Sequence, residues 1–282
     1  MAGHDHQVAA WASGVREIGQ LADSVGTAEA MLNLVGHVPD RPAVRAQGMS
    51  VVRTVDGNTE ALLAGTGTAG GFLQWLADRY TGGDVDRLLA GTEPADLVPP
   101  DYPVATGAED TSLFAHCGVI DPDVDGGNAL LAGDAWLLPY PAGRQCPEPD
   151  PTARVAAVGG EPRHLGLEAL EAVSYQAQWA IDVQSRLAGR PITRLSLSGH
   201  PLHRSPLWPR IRATLARVPT TLTTATEPVA IGAALLALDR TGLGDGTPLP
   251  SRPIDPLRGA AARYRLRLNA FIASARAACS SG

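Results

Sequence analysis

The feature that most constrains this chain is the order of its strand-like and helix-like segments. A β-hairpin comes first, with residues 21–25 and 28–35 as its strands and the small pair Gly26-Thr27 at the tight turn between them. Further along, strand-like segments alternate with helix-like ones, which is the pattern of a parallel βαβ unit. A hairpin followed by such alternation predicts an α/β fold with a mixed sheet and helical layers.

Hydrophobic periodicity places the remaining elements. The predicted strands after the hairpin are residues 50–55, 59–65, 192–197 and 220–224, and the predicted helices are 6–14, 70–80, 165–187, 208–218, 228–238 and 257–277. Residues 81–128 are rich in Pro, Gly and Asp and predict an irregular excursion with one short helix at 85–90. We expect the arginines of the last helix to form a solvated face: Arg258, Arg263, Arg265, Arg267 and Arg276.

Charge and composition exclude several classes of function. The chain contains no lysine, which removes P-loop and Schiff-base lysine chemistry, and its net charge of -6 argues against a nucleic acid or an anionic membrane as partner. The three cysteines lie far apart without C-x-x-C spacing, so neither a disulfide framework nor a zinc knuckle is predicted. No apolar run is long enough to span a membrane and no signal-peptide pattern is present, so we expect a cytoplasmic protein.

Four segments contain the residues best suited to chemistry: Gly3 to His6, Asp23 to Ala28, Gly65 to Gln74, and Leu197 to His200. The second is a turn whose amides and Thr27 hydroxyl could face an anion. The third is a glycine-rich loop that opens a helix, and the free N–H groups at a helix start suit phosphate. The fourth lies at the end of a predicted strand. Each segment alone is a weak signal, and their order carries the argument.

That order resembles the C-terminal domain of the FGGY carbohydrate kinases, a branch of the actin-like ATPases. The family carries a Gly-x-x-Asp catalytic segment, an Asp-Ser-x-Gly-Thr turn and a glycine-rich loop that leads into a Trp-Leu helix. Its Leu-Pro-Tyr stretch is matched by Leu138 to Pro147, and its Glu-x-x-x-x-Gly-Ala-Ala helix by Glu227 to Ala234. The adenosine segment around Gly199 departs from the family pattern, with one glycine replaced and two residues inserted.

The resemblance implies an actin-like ATPase (ribonuclease H-like) α/β domain whose mixed sheet has helices on both faces. We expect residues 1–245 to form the nucleotide-binding domain, and residues 246–282 to form a proline-rich link and a C-terminal helix.

The resemblance also implies ATP-dependent phosphorylation of a sugar or polyol hydroxyl. Asp5 would be the general base that takes the hydroxyl proton. The implied nucleotide contacts are Gly26 and Thr27 at the transferring phosphates, Gly70, Gly71 and Gln74 along the nucleotide, and Gly199 and His200 near the adenosine. Mg²⁺ would be shared between phosphates and a few carboxylates, and no residue is assigned as a dedicated metal ligand.

Family members carry an additional N-terminal domain with the first phosphate loop and most sugar contacts. This chain starts just ahead of Asp5, so we expect that half of the cleft to come from a separate N-terminal kinase domain or from a second copy of the chain. Without it the chain is expected to be inactive. Two alternatives stay open, a non-catalytic remnant that binds nucleotide and one half of a split kinase.

The residues around Asp5 also allow simpler interpretations. Aspartate is favoured as a helix N-cap, so Asp5 could serve that purpose alone. His4 and His6 form an H-x-H pair, but no third ligand is evident, and solvent-facing histidines are expected instead.

Overall fold

The structure is a computed structural model that describes residues 4–38, 40–90, 92, 135–160, 162 and 164–278. Its strands are β1 (Gln20–Val25), β2 (Glu29–Gly36), β3 (Ser50–Arg53), β4 (Glu60–Thr66), β5 (Trp136–Leu138), β6 (Ala156–Val158), β7 (Arg194–Ser198), β8 (Thr220–Thr223) and β9 (Ser251–Pro253). Its helices are α1 (Asp5–Ala12), α2 (Arg41–Ala46), α3 (Gly70–Tyr80), α4 (Val85–Leu89), α5 (Leu165–Ala188), α6 (His200–Arg204), α7 (Leu207–Ala216), α8 (Pro228–Arg240) and α9 (Ala261–Ala277).

Seven strands form one mixed sheet in the order β3-β4-β2-β1-β7-β8-β9. The half that contains β3, β4, β2 and β1 is antiparallel, whereas β7 pairs parallel with β1 and β8 pairs parallel with β7. The last strand, β9, adds an antiparallel edge beside β8, and β5 and β6 pair separately. The mixed sheet predicted from the hairpin and the later alternation is confirmed.

Helices cover both faces of this sheet. On one face α5 and α7 pack into the larger core, where Trp179, Trp208 and Tyr175 are fully buried. On the other face α1 packs against β1 and β2, and Ala10 joins Ala22 and Leu32 in a smaller apolar cluster. Burial of a helix stripe against each sheet face is what holds a three-layer α/β domain together.

The Leu-Pro-Tyr stretch has a structural role. The Tyr140 hydroxyl lies 2.6 Å from Gln176 Oε1 on α5, and the buried Arg144 donates from Nη1 to the Ala275 carbonyl of α9 at 2.9 Å. Cys146 donates its thiol to the Gly65 carbonyl, and burial raises the pKa of this thiol to about 12. Because a thiol with that pKa stays protonated at neutral pH, Cys146 is not a nucleophile.

The structure corrects one expectation at the C-terminal helix. Arg267 of α9 is buried, and its Nη2 lies 2.7 Å from Glu171 Oε2. The prediction of a wholly solvated arginine face is therefore wrong at this position, because the buried carboxylate of Glu171 requires a charged partner.

The short helix predicted at 85–90 is confirmed by α4, and residues 93–128 of the predicted excursion lie outside the described residues. Within the described part of the chain, every helix is too short or too polar to cross a bilayer.

Candidate functional site

The β1–β2 turn is the centre around which the predicted nucleotide residues are arranged. Val25 pairs with Glu29 across the hairpin, and the Gly26 amide donates to the Ala28 carbonyl at 2.8 Å. Thr27 stands exposed at the tip, and no hydrogen bond of its hydroxyl is found within the described part of the chain. The turn predicted from Gly26-Thr27 is confirmed, and it presents a free hydroxyl to solvent.

The start of α3 packs directly onto this turn. The Gly70 amide donates to the Gly26 carbonyl at 2.9 Å, and the Gly71 amide donates to the Thr27 carbonyl at 2.8 Å. A Cβ at Gly70 would lie 2.7 Å from the Gly26 oxygen, so the two backbones can approach this closely only through glycine. The expectation that these amides are free for phosphate is therefore wrong, because both are already donated within the protein.

Gly199 brings a third segment to the same place. Ser198 pairs with Ser24 in the parallel β1–β7 ladder, so both strands end side by side. A Cβ at Gly199 would lie 1.8 Å from the Val25 carbonyl oxygen, and the backbone there has φ 121°. Both facts require glycine at this position. We call Gly26, Thr27, Gly70, Gly71 and Gly199 the loop junction.

His200 and Gln74 lie outside the loop junction itself. His200 is the exposed first residue of α6, directly after Gly199. Gln74 is exposed on α3, and its amide donates to Asp78 Oδ1 at 2.8 Å and to the Gly83 carbonyl at 3.1 Å. These partners draw the Gln74 side chain toward the C-terminal half of α3, away from the turn.

Asp5 is the exposed first residue of α1. The N-cap position, which the sequence suggested for Asp5, is occupied by His4. Asp5 Oδ1 accepts the His6 amide at 2.9 Å and lies 2.6 Å from His4 Nδ1. Burial lowers the pKa of His6, and the negative charge of Asp5 only partly offsets this. The carboxylate therefore lies between two histidines and remains open to solvent.

The chain direction relates Asp5 to the loop junction. Residues 13–19 connect the end of α1 to the first residue of β1, and the helix packs on that strand. A helix that packs on the strand it leads into, through a short connection, commonly runs antiparallel to that strand. We therefore expect the N-terminus of α1 to lie toward the end of the sheet at which β1 turns at Gly26.

A buried charge cluster beneath the turn escaped the sequence analysis. Asp23 and Glu29, on the two strands of the hairpin, both contact the guanidinium of Arg212 on α7, and Glu29 Oε1 lies 2.8 Å from Nη2. All three side chains are almost fully buried. Burial raises the pKa of Glu29 well above its usual range, against the opposing charge of Arg212. The two carboxylates in turn raise the pKa of Arg212 despite its burial.

The only sequence signal for this cluster was a carboxylate at each end of the turn. Because Asp23 and Glu29 flank Gly26-Thr27 and share one cation, Arg212 fixes the base of the hairpin turn from below. Its separation of 189 residues from Asp23 left no local pattern that could predict the contact.

Comparisons of sequence and of structure both find related proteins. The model of the FGGY family of carbohydrate kinases, C-terminal domain, matches residues 62–238. A glycerol kinase of Alkalilimnicola ehrlichii is 27% identical over 251 residues, which are 86% of this chain and 43% of the relative.

Solved kinases share the fold that the structure describes. The gluconate kinase of Lactobacillus acidophilus superposes with a TM-score of 0.72 and 17% identity, covering 98% of this chain and 51% of the kinase. A ligand-bound xylulose kinase of the same organism gives a TM-score of 0.72, 16% identity and the same coverage. The chain thus spans about half the length of the proteins that it matches.

Proposed function

The chain belongs to the FGGY family of carbohydrate kinases, and from that premise we propose that it takes part in ATP-dependent phosphorylation of a sugar or polyol hydroxyl. Its fold is the actin-like ATPase fold expected from the sequence. In the proposed reaction this chain supplies the catalytic base and the nucleotide site.

The observation that carries the proposal is the loop junction. Three segments far apart in sequence meet at the carboxyl ends of β1 and β7, with Thr27 and His200 exposed around tightly packed glycines. In open α/β sheets, ligands bind in the crevice beyond the carboxyl ends of the strands. Because the glycines of the loop junction have no side chains, phosphates could lie against its solvent-facing backbone, with the Thr27 hydroxyl as a hydrogen-bond donor.

Asp5 supplies the chemistry that the junction lacks. As the substrate hydroxyl oxygen forms a bond to the γ-phosphorus of ATP, its proton passes to the Asp5 carboxylate, and the bond between the γ-phosphorus and the bridging oxygen breaks to release ADP. Phosphoryl transfer has a loose transition state, so correct placement contributes more than unusual basicity. A solvent-open carboxylate beside the cleft suits this role.

Mg²⁺ fits this arrangement as a companion of the nucleotide. Asp23 and Glu29 are buried and contact Arg212, so they offer no ligands for a hydrated cation. Mg²⁺ is commonly held by one or two carboxylates together with substrate phosphates and water. The nucleotide phosphates and water would therefore hold most of the ion's coordination positions, and the ion would neutralise charge on the transferring phosphate while Asp5 stays free to accept the proton.

Helix α8 supports a partner for this chain. Its sequence is apolar on all sides from Pro228 to Leu238, yet the described residues cover only one side, where Gly232 packs closely against Val8 and Ala12. The outer face of α8 consists of these exposed residues: Val229, Ala230, Ile231, Ala233, Ala234, Ala237 and Leu238. A helix that is apolar all round is normally buried. This chain covers only about half the length of its relatives, which leaves room in them for a further domain. We propose that such an N-terminal domain, the other half of the kinase, covers this face.

The nucleotide site is tested by titration calorimetry of Mg·ADP into the purified chain. We expect saturable binding that persists in Asp5→Asn, because the base does not hold the nucleotide. Thr27→Val removes one hydroxyl without changing side-chain volume, and Gly26→Val fills the turn. A Cβ at Gly26 meets only the Ala28 oxygen at 3.4 Å, so Gly26→Val should still fold. Nucleotide binding should weaken in Thr27→Val and disappear in Gly26→Val.

The same titration separates the proposal from its alternative. Binding that is unchanged in Gly26→Val would place the nucleotide elsewhere and refute the site. Binding that follows the prediction, with no sugar or polyol phosphorylated when the other half is supplied, would favour a nucleotide-binding module without turnover.

The covering partner is tested by sedimentation of the chain with and without Ile231→Glu. If the other half of the kinase covers the outer face of α8, the isolated chain should sediment as a monomer or as nonspecific oligomers. The charge that Ile231→Glu adds to this face should disperse such oligomers. A defined dimer that Ile231→Glu dissociates would instead identify a second copy of this chain as the partner.

A further inference from the structure

Three potential metal ligands meet at the start of α1. His4 Nδ1 lies 2.6 Å and His6 Nε2 lies 3.8 Å from Asp5 Oδ1. One donor atom from each of the three side chains lies within 4.8 Å of the others. Sequence analysis found an H-x-H pair without a third ligand, and the structure supplies the third ligand in the residue between them.

The backbone explains how three consecutive residues direct their side chains to one point. His4 is extended, with φ -66° and ψ 143°, whereas Asp5 and His6 already belong to the helix. The His4 carbonyl accepts the amides of Gln7 and Val8 at 3.0 and 3.2 Å, which ties the extended residue to the first turn. This change from extended to helical backbone folds the His4 ring back over Asp5.

The donor set is selective. Two imidazole nitrogens and one carboxylate oxygen, with open positions for water, are a ligand set that suits Zn²⁺ and similar borderline ions. Mg²⁺ prefers oxygen ligands throughout. Donors around a tetrahedral ion with bonds of about 2.0–2.1 Å lie roughly 3.3 Å apart, so the observed spacings need only side-chain rotation. His4 and Asp5 are exposed, which leaves room for water to complete the coordination.

His37 and Glu60 show what an incomplete site looks like in the same molecule. His37 Nδ1 lies 3.5 Å from Glu60 Oε2, but the third neighbour of that carboxylate is the guanidinium of Arg41. A positive charge in that place repels a metal ion. Within the described part of the chain no arginine forms an ion pair with Asp5, and the two histidines are its ion-pair partners.

We propose that His4, Asp5 and His6 form a binding site for one divalent transition-metal ion of the Zn²⁺ type. Binding follows from the three donors alone and does not depend on the proposed function. A consequence does depend on it: an ion bound to Asp5 occupies the lone pair that would accept the substrate proton, so Zn²⁺ inhibits phosphoryl transfer. The site would then make the activity sensitive to free zinc.

The test is a titration of the metal-free chain with Co²⁺, read from the visible absorption that tetrahedral Co²⁺ acquires in a protein site. We expect saturation at one ion per chain and loss of the signal when Zn²⁺ is added. Mg²⁺ at millimolar concentration should leave it unchanged. His4→Gln, Asp5→Asn and His6→Gln should each weaken Co²⁺ binding by more than about tenfold, since even outer-shell partners of a metal contribute that much.

His37→Gln is the matched control and should bind Co²⁺ as the unchanged chain does. Equal binding by the unchanged chain and by His6→Gln, or a stoichiometry that falls in His37→Gln, would overturn the proposal. Calorimetry of Mg·ADP on the same metal-free samples reports separately on the nucleotide site. The Co²⁺ titration can therefore be interpreted even if the proposed kinase function is refuted. The nucleotide titration can likewise be interpreted if the metal site is refuted.

Discussion

The loop junction and the outer face of α8 differ in how much of each this chain completes. At the junction, glycine backbones from three segments are in mutual contact, and a buried charge cluster fixes the turn from below. On α8, Leu236 is buried whereas Leu238, two residues on, is 44% exposed. The first region is closely packed within the chain, whereas no described residue covers the second. The nucleotide site that we propose would therefore be preformed, while the cleft around it would need a partner.

The strongest test of a finished junction is Gly199→Ala. The new Cβ would lie 1.8 Å from the Val25 carbonyl oxygen at a backbone φ of 121°. Because backbone on both sides must move, we expect a loss of more than about 4 kcal/mol in the free energy of unfolding, or no folded protein. Urea denaturation followed by circular dichroism measures it.

Gly57→Ala separates conformational strain from the clash at Gly199. Gly57 also has a positive φ of 75°, but a Cβ there meets nothing within 4 Å. This control should lose about 1–2 kcal/mol, which is the cost of the left-handed region for a residue with a side chain. Similar losses in the two variants would mean that the junction is not closely packed.

Arg212→Met tests whether the charge cluster holds the turn. Removing the guanidinium leaves Asp23 and Glu29 buried without their cation, and breaking a buried pair in this way costs about 3–5 kcal/mol. The midpoint of urea denaturation should fall accordingly. Addition of Asp23→Asn should recover part of the loss, because it removes a carboxylate that has lost its cation.

Arg204→Met provides the surface comparison for the Arg212 variant. Arg204 pairs with the exposed Asp86, and exposed pairs contribute at most about 1 kcal/mol. A loss of stability as large as that of Arg212→Met would mean that the buried cluster stabilises the fold no more than this exposed ion pair does.

The two faces of α8 can be compared by truncation to alanine. Leu236→Ala should cost about 2–5 kcal/mol, because a buried leucine leaves a cavity. Leu238→Ala should change the stability of the isolated chain by less than about 0.5 kcal/mol, as expected for an exposed position. Thermal denaturation of both variants checks this. A large effect of Leu238→Ala would show that the outer face is already covered, for instance by a second copy.

The sequence predicted those parts of the molecule that local pattern determines. The Gly26-Thr27 turn, α3 and α5 match their predicted ranges closely, because small turn residues and long apolar stripes are local signals. Short elements such as α2 and β9 carry too few residues for a periodicity and were not predicted. The capture of the Gly70 amide by the Gly26 carbonyl and the contact of Arg212 with Asp23 depend on tertiary packing, which no local pattern encodes.

The smallest expected effect is the pH dependence caused by Glu29. Burial raises its pKa above the ordinary carboxyl value, so the folded state keeps a proton that the unfolded chain has released. The unfolding free energy then falls as pH rises from about 4.3, the unperturbed value, through the raised pKa. Glu29→Gln cannot titrate, so its stability should decline less with pH. Urea midpoints between pH 5 and pH 8 should therefore diverge, with the variant gaining on the unchanged chain at the higher pH. Parallel curves would mean that Arg212 keeps Glu29 ionised throughout, and the turn would then rest on a fully charged cluster.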